Sequence, residues 1–148
     1  METTNFTTTI LVDRTPKEVF DAVIDPRKWW SGEFKGETKE LGDEFSYRYQ
    51  NFHYSEQKVT ELIPEERVVW LVTESELNFL EDKSEWKGTK IIFEITRKAD
   101  KTELKFTHVG IHPGVECYDD CSVAWALLIQ QSLYQLITTG KTEKPVLV

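Results

Sequence analysis

The chain has 148 residues, 39% hydrophobic and 12% aromatic, with 26 Asp and Glu against 18 Lys and Arg for a formal net charge of -8. Those totals suit one soluble globular domain over residues 1–148, and the acidic balance argues against nucleic acid or an anionic membrane surface as a main partner. The longest apolar run, Val123 to Ile129, falls far short of the roughly 20 residues that cross a bilayer. Met1-Glu2-Thr3-Thr4 offers neither region of an export signal, so a cytoplasmic chain whose two cysteines stay free and reduced is expected.

Residues 5–12, rich in Thr and β-branched side chains, read as a first strand. Thr15 then stands as an N-cap with Pro16 at the first helical position and Glu18 three residues on, and Val19, Phe20, Val23 and Ile24 give the buried side of that helix. Asp25-Pro26 interrupts it, and Arg27-Lys28-Trp29-Trp30 makes a short second turn before the glycines at 32 and 36. Phe45, Tyr47 and Tyr49 alternate with Ser46 and Arg48, as in a strand with one aromatic face turned inward. Gln50-Asn51 turns into a returning strand over 52–63, whose imperfect alternation points to a bulge near Glu56.

Pro64-Glu65-Glu66 turns the chain again, and Arg67 to Thr73 is apolar on both faces, which places it centrally in a sheet. Residues 74–87 are charged and without period, and read as a long mobile loop. Gly88-Thr89 opens a strand from Lys90 to Arg97, and after the turn at Ala99-Asp100-Lys101 the strand from Thr102 to Val109 puts Leu104, Phe106 and His108 on one face. Val115 to Thr139 then reads as one helix of about seven turns with Tyr118, Trp125, Ile129, Leu133 and Leu136 on a stripe. Pro113-Gly114 breaks the chain before it, Glu116, Asp119 and Asp120 complement its positive end, and Gly140 stops it. The order, β, two helical turns, an antiparallel meander and a long helix, is an α+β layout: a sheet wrapped around the C-terminal helix.

Several stretches carry a resemblance in the same order over nearly the whole chain: Thr15 to Pro26, Val59 to Trp70, Gly88-Thr89, Thr102 to Gly110, Cys117 to Trp125, and the helix ending at Thr139-Gly140. On these the chain resembles the START-like superfamily (SRPBCC, helix-grip, Bet v-type fold) and, within it, the family of homologues of the activator of the heat shock protein 90 ATPase. The resemblance implies a strongly curved antiparallel sheet gripping the C-terminal helix, often around an apolar cavity. Members of the superfamily bind lipids, hormones, polyketides or other hydrophobic molecules, and a few are cyclases. Ala124 stands where the resemblance leads one to expect glycine before the helix tryptophan, which narrows the space there. The extra N-terminal domain through which eukaryotic activators engage the chaperone is not in this sequence.

The candidate site is the gap between helix and sheet. Its expected lining is Phe45, Tyr47, Tyr49, Trp70, Phe93 and Phe106 from the strands with His108, and Tyr118, Cys121, Trp125 and Ile129 from the helix. The same residues would equally make a filled core. His108 reads either as the polar anchor of a ligand or as a core histidine bonded inside the protein. Cys117, Cys121, His108 and His112 contain ligand types for zinc, but their spacing matches no metal knuckle, so no metal and no cofactor is expected. Trp29 and Trp30 suit packing under the helix better than a role at a cavity mouth. No phosphate loop, catalytic triad or paired carboxylates emerge.

The expected function is therefore non-catalytic binding of a small hydrophobic molecule. The alternatives are a chaperone-associated interaction module and a cyclase- or aromatase-like enzyme. A chaperone and a second copy of the chain are the partners weighed beside the small molecule, with the apolar tail Pro145-Val-Leu-Val a candidate docking segment.

Overall fold

A computed structural model describes residues 5–78, 80–81 and 83–144; the tail from Pro145 lies outside the described residues. Seven strands form one antiparallel sheet: β1 (Phe6–Val12), β2 (Glu33–Gly36), β3 (Glu44–Tyr49), β4 (His53–Ile63), β5 (Arg67–Leu77), β6 (Lys90–Lys98) and β7 (Lys101–Val109). Their spatial order is β1-β7-β6-β5-β4-β3-β2, so the doubly apolar β5 sits in the centre, as its composition requires. The first helix, α1 (Pro16–Val23), starts as a capped helix should: the Thr15 hydroxyl accepts from the Glu18 backbone N–H at 3.2 Å, and Pro16 occupies the first turn.

The C-terminal helix runs from α2 (Tyr118–Leu127) through a π-helical segment, Leu128–Leu133, into α3 (Tyr134–Thr139). Gly140 closes it in the left-handed conformation at φ 82°, which a glycine adopts without strain. The helix begins at Tyr118, three residues later than the expected Val115. Its stripe also differs. An α-helix drifts about 40° for every fourth residue, whereas the wider i→i+5 turns take up that drift. Trp125, Ile129, Leu133 and Ile137, each four apart, are therefore all buried, and Ile137 replaces the expected Leu136 at the end of the stripe.

Three further differences have local causes. β2 pairs with β3 through Phe34 and Tyr47, although three residues between two glycines gave no legible period. β5 extends to Leu77, because a register shift opposite Glu56/Gln57 switches the inward parity from Val72 to Leu77. The segment after it is correspondingly shorter than 74–87 and is tied down rather than free. Leu80 and Trp86 are buried, Leu77 N–H donates to Lys83 C=O at 2.9 Å, and the Glu85 carboxylate accepts from the backbone N–H groups of Glu116 and Cys117 at 2.9 and 2.7 Å. Glu85 thus caps the start of α2, and Glu116 returns the bond by accepting from Glu81 N–H at 2.9 Å.

The cysteines correct the expectation of free thiols. Cys117 and Cys121 are joined as a disulfide with Cα atoms 5.5 Å apart, within the ordinary span for such a bond. A spacing of four at a helix start brings the two side chains to one side, and composition alone could not say that they would pair. Among the described residues no helix is long and apolar enough to cross a membrane.

Candidate functional site: an aromatic cleft beside the C-terminal helix

Most of the gap between sheet and helix is filled. Trp70, on β5, meets Phe93 edge-on at 5.0 Å and Phe45 at 5.2 Å, and Phe93 meets Phe106 at 5.3 Å, in the geometry that ring quadrupoles favour. Toward β3 and the start of β4 the filling stops. A cleft of about 290 Å³ remains there, open to solvent on one side. Asp120, Cys121, Val123, Ala124, Trp125, Leu127 and Leu128 form its helical wall. Opposite stand Trp30, Tyr47, Tyr49, Phe52, His53 and Trp86.

Of the residues expected to line a cavity, Tyr47, Tyr49, Cys121 and Trp125 come together here. Phe45, Trp70, Phe93, Phe106, His108 and Ile129 are buried in the filled part, outside the cleft wall, and Tyr118 is half-buried at the core's edge. Trp30, Phe52, His53 and Trp86 complete the wall. Trp30 stacks on Tyr47 at 4.1 Å, and Trp86 lies 12° from parallel to Trp125 with ring centres 5.9 Å apart. Two signals could have found the missing members. Trp86 is a tryptophan set among charged residues, and His53 shares its parity with Ser55 and Gln57, which are fully buried.

Two histidines stand between sheet and helix, His108 fully buried and His53 half-buried, and they have opposite standing. Trp125 donates its indole N–H to His108 Nδ1 at 3.0 Å, so that nitrogen carries no proton. His108 must then donate from Nε2 to the Thr89 hydroxyl at 2.8 Å, and Thr89 passes its own proton to Trp86 C=O at 2.6 Å. The chain of donors is complete. Gly110 lets Thr89 come this close, since a Cβ there would lie 2.6 Å from the Thr89 methyl. Burial, with a small contribution from His53, lowers the His108 pKa from 6.5 to about 3 and keeps it neutral.

His53 belongs to the cleft wall. Its Nε2 is 3.1 Å from the Ser55 hydroxyl, which also accepts from the Gln57 side-chain amide at 2.5 Å. Among the described residues Nδ1 has no hydrogen-bond partner. Burial lowers its pKa to about 3 as well. Tyr47 is spent inside the protein: its hydroxyl donates to Ser31 C=O, and burial pushes its pKa up. Asp120 is exposed at the rim, the one carboxylate of the wall among the described residues.

The groups weighed for zinc are not assembled. The cysteines bond each other, His108 is occupied at both nitrogens, and His112 Nδ1 accepts from Gly114 N–H at 3.1 Å. Among the described residues no group of three or more His, Cys, Asp or Glu could hold a metal ion.

The family model described as Activator of Hsp90 ATPase homolog 1-like protein matches residues 13–138, which span α1, the sheet from β2 to β7 and nearly all of the C-terminal helix. The chain belongs to that family. Its architecture is that of the helix-grip fold of the START-like superfamily, the resemblance that the sequence carries. Among solved structures it is similar to the Aha1 dimer of Colwellia psychrerythraea, at 26% identity and a TM-score of 0.75, over 93% of this chain and 98% of that one. A protein of Staphylococcus saprophyticus has the same fold at 16% identity and a TM-score of 0.71, over 98% and 100% of the two chains. DynU16, encoded in the dynemicin biosynthetic locus, matches at 18% identity and a TM-score of 0.67, over 94% of this chain and 49% of that one. No curated protein matches the chain in sequence.

Proposed function

We propose that this member of the activator-homologue family binds a small hydrophobic molecule in the cleft between α2 and the β3–β4 end of the sheet, without catalysis. The observation that carries the reading is the cleft itself: about 290 Å³ of unfilled space, close to the lower bound of ordinary ligand pockets, walled by aromatic and aliphatic side chains with a few polar groups. A binder is favoured over an enzyme because His108, the acid-base candidate of the sequence, is held neutral and bonded at both nitrogens.

Native mass spectrometry of the purified protein, followed by denaturing extraction, tests this directly: a stoichiometric apolar compound is expected. If none co-purifies, titration with the neutral fluorescent probe N-phenyl-1-naphthylamine takes its place. One probe per chain is expected, with Ala124→Phe weakening it at least about tenfold by filling the cleft. Equal affinity in that variant would remove the cleft from consideration.

A second reading places function at the surface. Phe52 and Val123 are 40% and 62% exposed at the mouth, and the Colwellia relative is a dimer. Sedimentation over a hundredfold concentration range, with Val123→Lys as control, would reveal self-association through this rim. A cytoplasmic site of action belongs to the same proposal. Rapid thiol trapping in lysates tests it: a Cys117–Cys121 pair found reduced in the cell would support a reducing compartment, and the disulfide found already formed would argue for an oxidising one.

A further inference from the structure

We propose that Cys117 and Cys121 form a reversible thiol–disulfide exchange site: a small thiol enters through the cleft and attacks Cys121 Sγ, and opening the bond loosens the start of α2 together with Glu85 and Trp86. Such a site works whether or not the cleft also holds a non-covalent ligand.

The two cysteines are unequal. Cys121, 5% exposed, belongs to the wall of a cleft that is open to solvent, whereas Cys117 is fully buried and outside that wall. An entering thiolate, RS⁻, therefore meets the Cys121 sulfur. A new S–S bond forms there, the bond to Cys117 breaks, and Cys117 leaves as a thiolate that takes a proton from water. A second thiolate then attacks the sulfur that came from the first. RS–SR departs, and the Cys121 thiolate is protonated in its turn. Two electrons pass from the two thiols to the cysteine pair, and RS–SR drives the same steps in reverse. The backbone suits closure, since Cα atoms 5.5 Å apart lie within the ordinary span of a disulfide.

Charge selects the thiol. Asp120, next to Cys121, is in the same wall, Asp119 is exposed in the same turn, and Glu85 and Glu116 stand at the helix start. The wall holds no Lys or Arg among the described residues. Its one histidine, His53, is kept neutral by burial. An anionic thiol is repelled on approach, and neutral or cationic thiols are not.

The bond also ties two parts of the wall together. Cys117 immediately precedes α2, and its side chain makes no capping hydrogen bond. The helix start is held by the disulfide to Cys121, one turn on, and by the Glu85 carboxylate, which accepts from the N–H groups of Cys117 and Glu116. Trp86 follows Glu85 directly and lies nearly parallel to Trp125. Bonded sulfurs stand about 2.0 Å apart, whereas unbonded heavy atoms need roughly 3.5–4 Å. Reduced thiols must therefore part, and the first turn keeps only one of its two ties. A helix end so released frays, and the Glu85–Trp86 side of the wall loosens with it.

The test starts by treating the purified protein with 2-hydroxyethyl disulfide and blocking free thiols with iodoacetamide. Mass spectrometry should find the Cys117–Cys121 bond, and dithiothreitol should return both thiols. In Cys117→Ser the remaining Cys121 thiol should react with iodoacetamide on the order of tenfold faster than the Cys117 thiol of Cys121→Ser. Adding Ala124→Phe, which fills the cleft, should slow Cys121 about fivefold. If a serine variant does not fold, partial reduction of the parent with 2-mercaptoethanol gives the same answer, with the trapped mixed disulfide mapped to Cys121.

Cysteamine, 2-mercaptoethanol and 3-mercaptopropionate carry positive, zero and negative charge. They should reduce the bond in that order, once each rate is divided by that of the same thiol with 2-hydroxyethyl disulfide. At low salt the cation should lead the anion on the order of tenfold, and added salt should close the gap. Amide exchange at Glu116 and Cys117 should be about tenfold faster in the reduced form, with Phe93 and Phe106 unchanged. Failure of the bond to form, faster reaction at Cys117, equal normalised rates at low salt, or equal exchange in the two redox states would each overturn the inference. The binding reading is judged separately, by N-phenyl-1-naphthylamine.

Discussion

Under β5, β6 and β7 the space between sheet and helix is closed by Trp70, Phe93 and Phe106, whereas under β3 and β4 it stays open. Both ends are rich in aromatic rings. They differ in what stands between the rings: β4 turns Ser55 and Gln57 inward, where the central strands turn Trp and Phe. Polar side chains on that inner face bring hydrogen-bonding groups up to the cleft, whose own wall they do not form.

The widest-reaching break of this comparison is acid, which acts on both ends at once. His53 and His108 have native pKa values of about 3 against an ordinary 6.5, so between those values the unfolded chain holds more protons than the folded one. Stability should be full above about pH 6.5 and fall as pH drops toward 3, with a limiting slope of about 1.4 kcal/mol per pH unit for each histidine. Urea melts from pH 7.5 to 4 measure this, and a flat profile would contradict the burial of the two rings. In the closed end, Phe93→Ala should cost roughly 3–5 kcal/mol while leaving the affinity of N-phenyl-1-naphthylamine within a factor of about two.

His108→Leu keeps the volume but leaves the Trp125 N–H without its acceptor, and a loss of about 1–3 kcal/mol is expected in the same melts. The smallest effect should come from Glu85→Gln, which replaces the carboxylate at the start of α2 with a neutral acceptor. About 0.5–1 kcal/mol and faster amide exchange at Glu116 and Cys117 are expected, with no change at Phe93 or Phe106.

The closed end was the more legible one. Alternation in 90–97 and 102–109 announced two strands and an apolar face, and the double-faced run at 67–73 announced the sheet's centre, because large side chains in a regular period leave few alternatives. The open end obeyed the same period with residues that hide it. His53, Ser55 and Gln57 alternate inward, yet none of them reads as buried, and the parity of β4 changes where Thr60 bulges between Val59 and Glu61. His108 shared a face with Leu104 and Phe106, which is legible; that both its nitrogens are bonded depends on Thr89 and Trp125, brought together only by the fold. Trp86 reached the core from a segment with no period at all, held by a carboxylate that caps a helix far along the chain.

The π-helical segment is where the C-terminal helix can take up a change in length. Leu128–Leu133 lets residues four apart stay on one face, and so sets how α3 is rotated relative to α2. Wound as an ordinary α-helix at the same length, the segment would turn everything after it by about 100° and carry Ile137 away from the sheet. Deleting one residue there as the winding returns to α cancels that turn, because the wide segment holds about one residue more than an α-helix would. A deletion in α2 or α3 has no such compensation and would turn the stripe off the sheet.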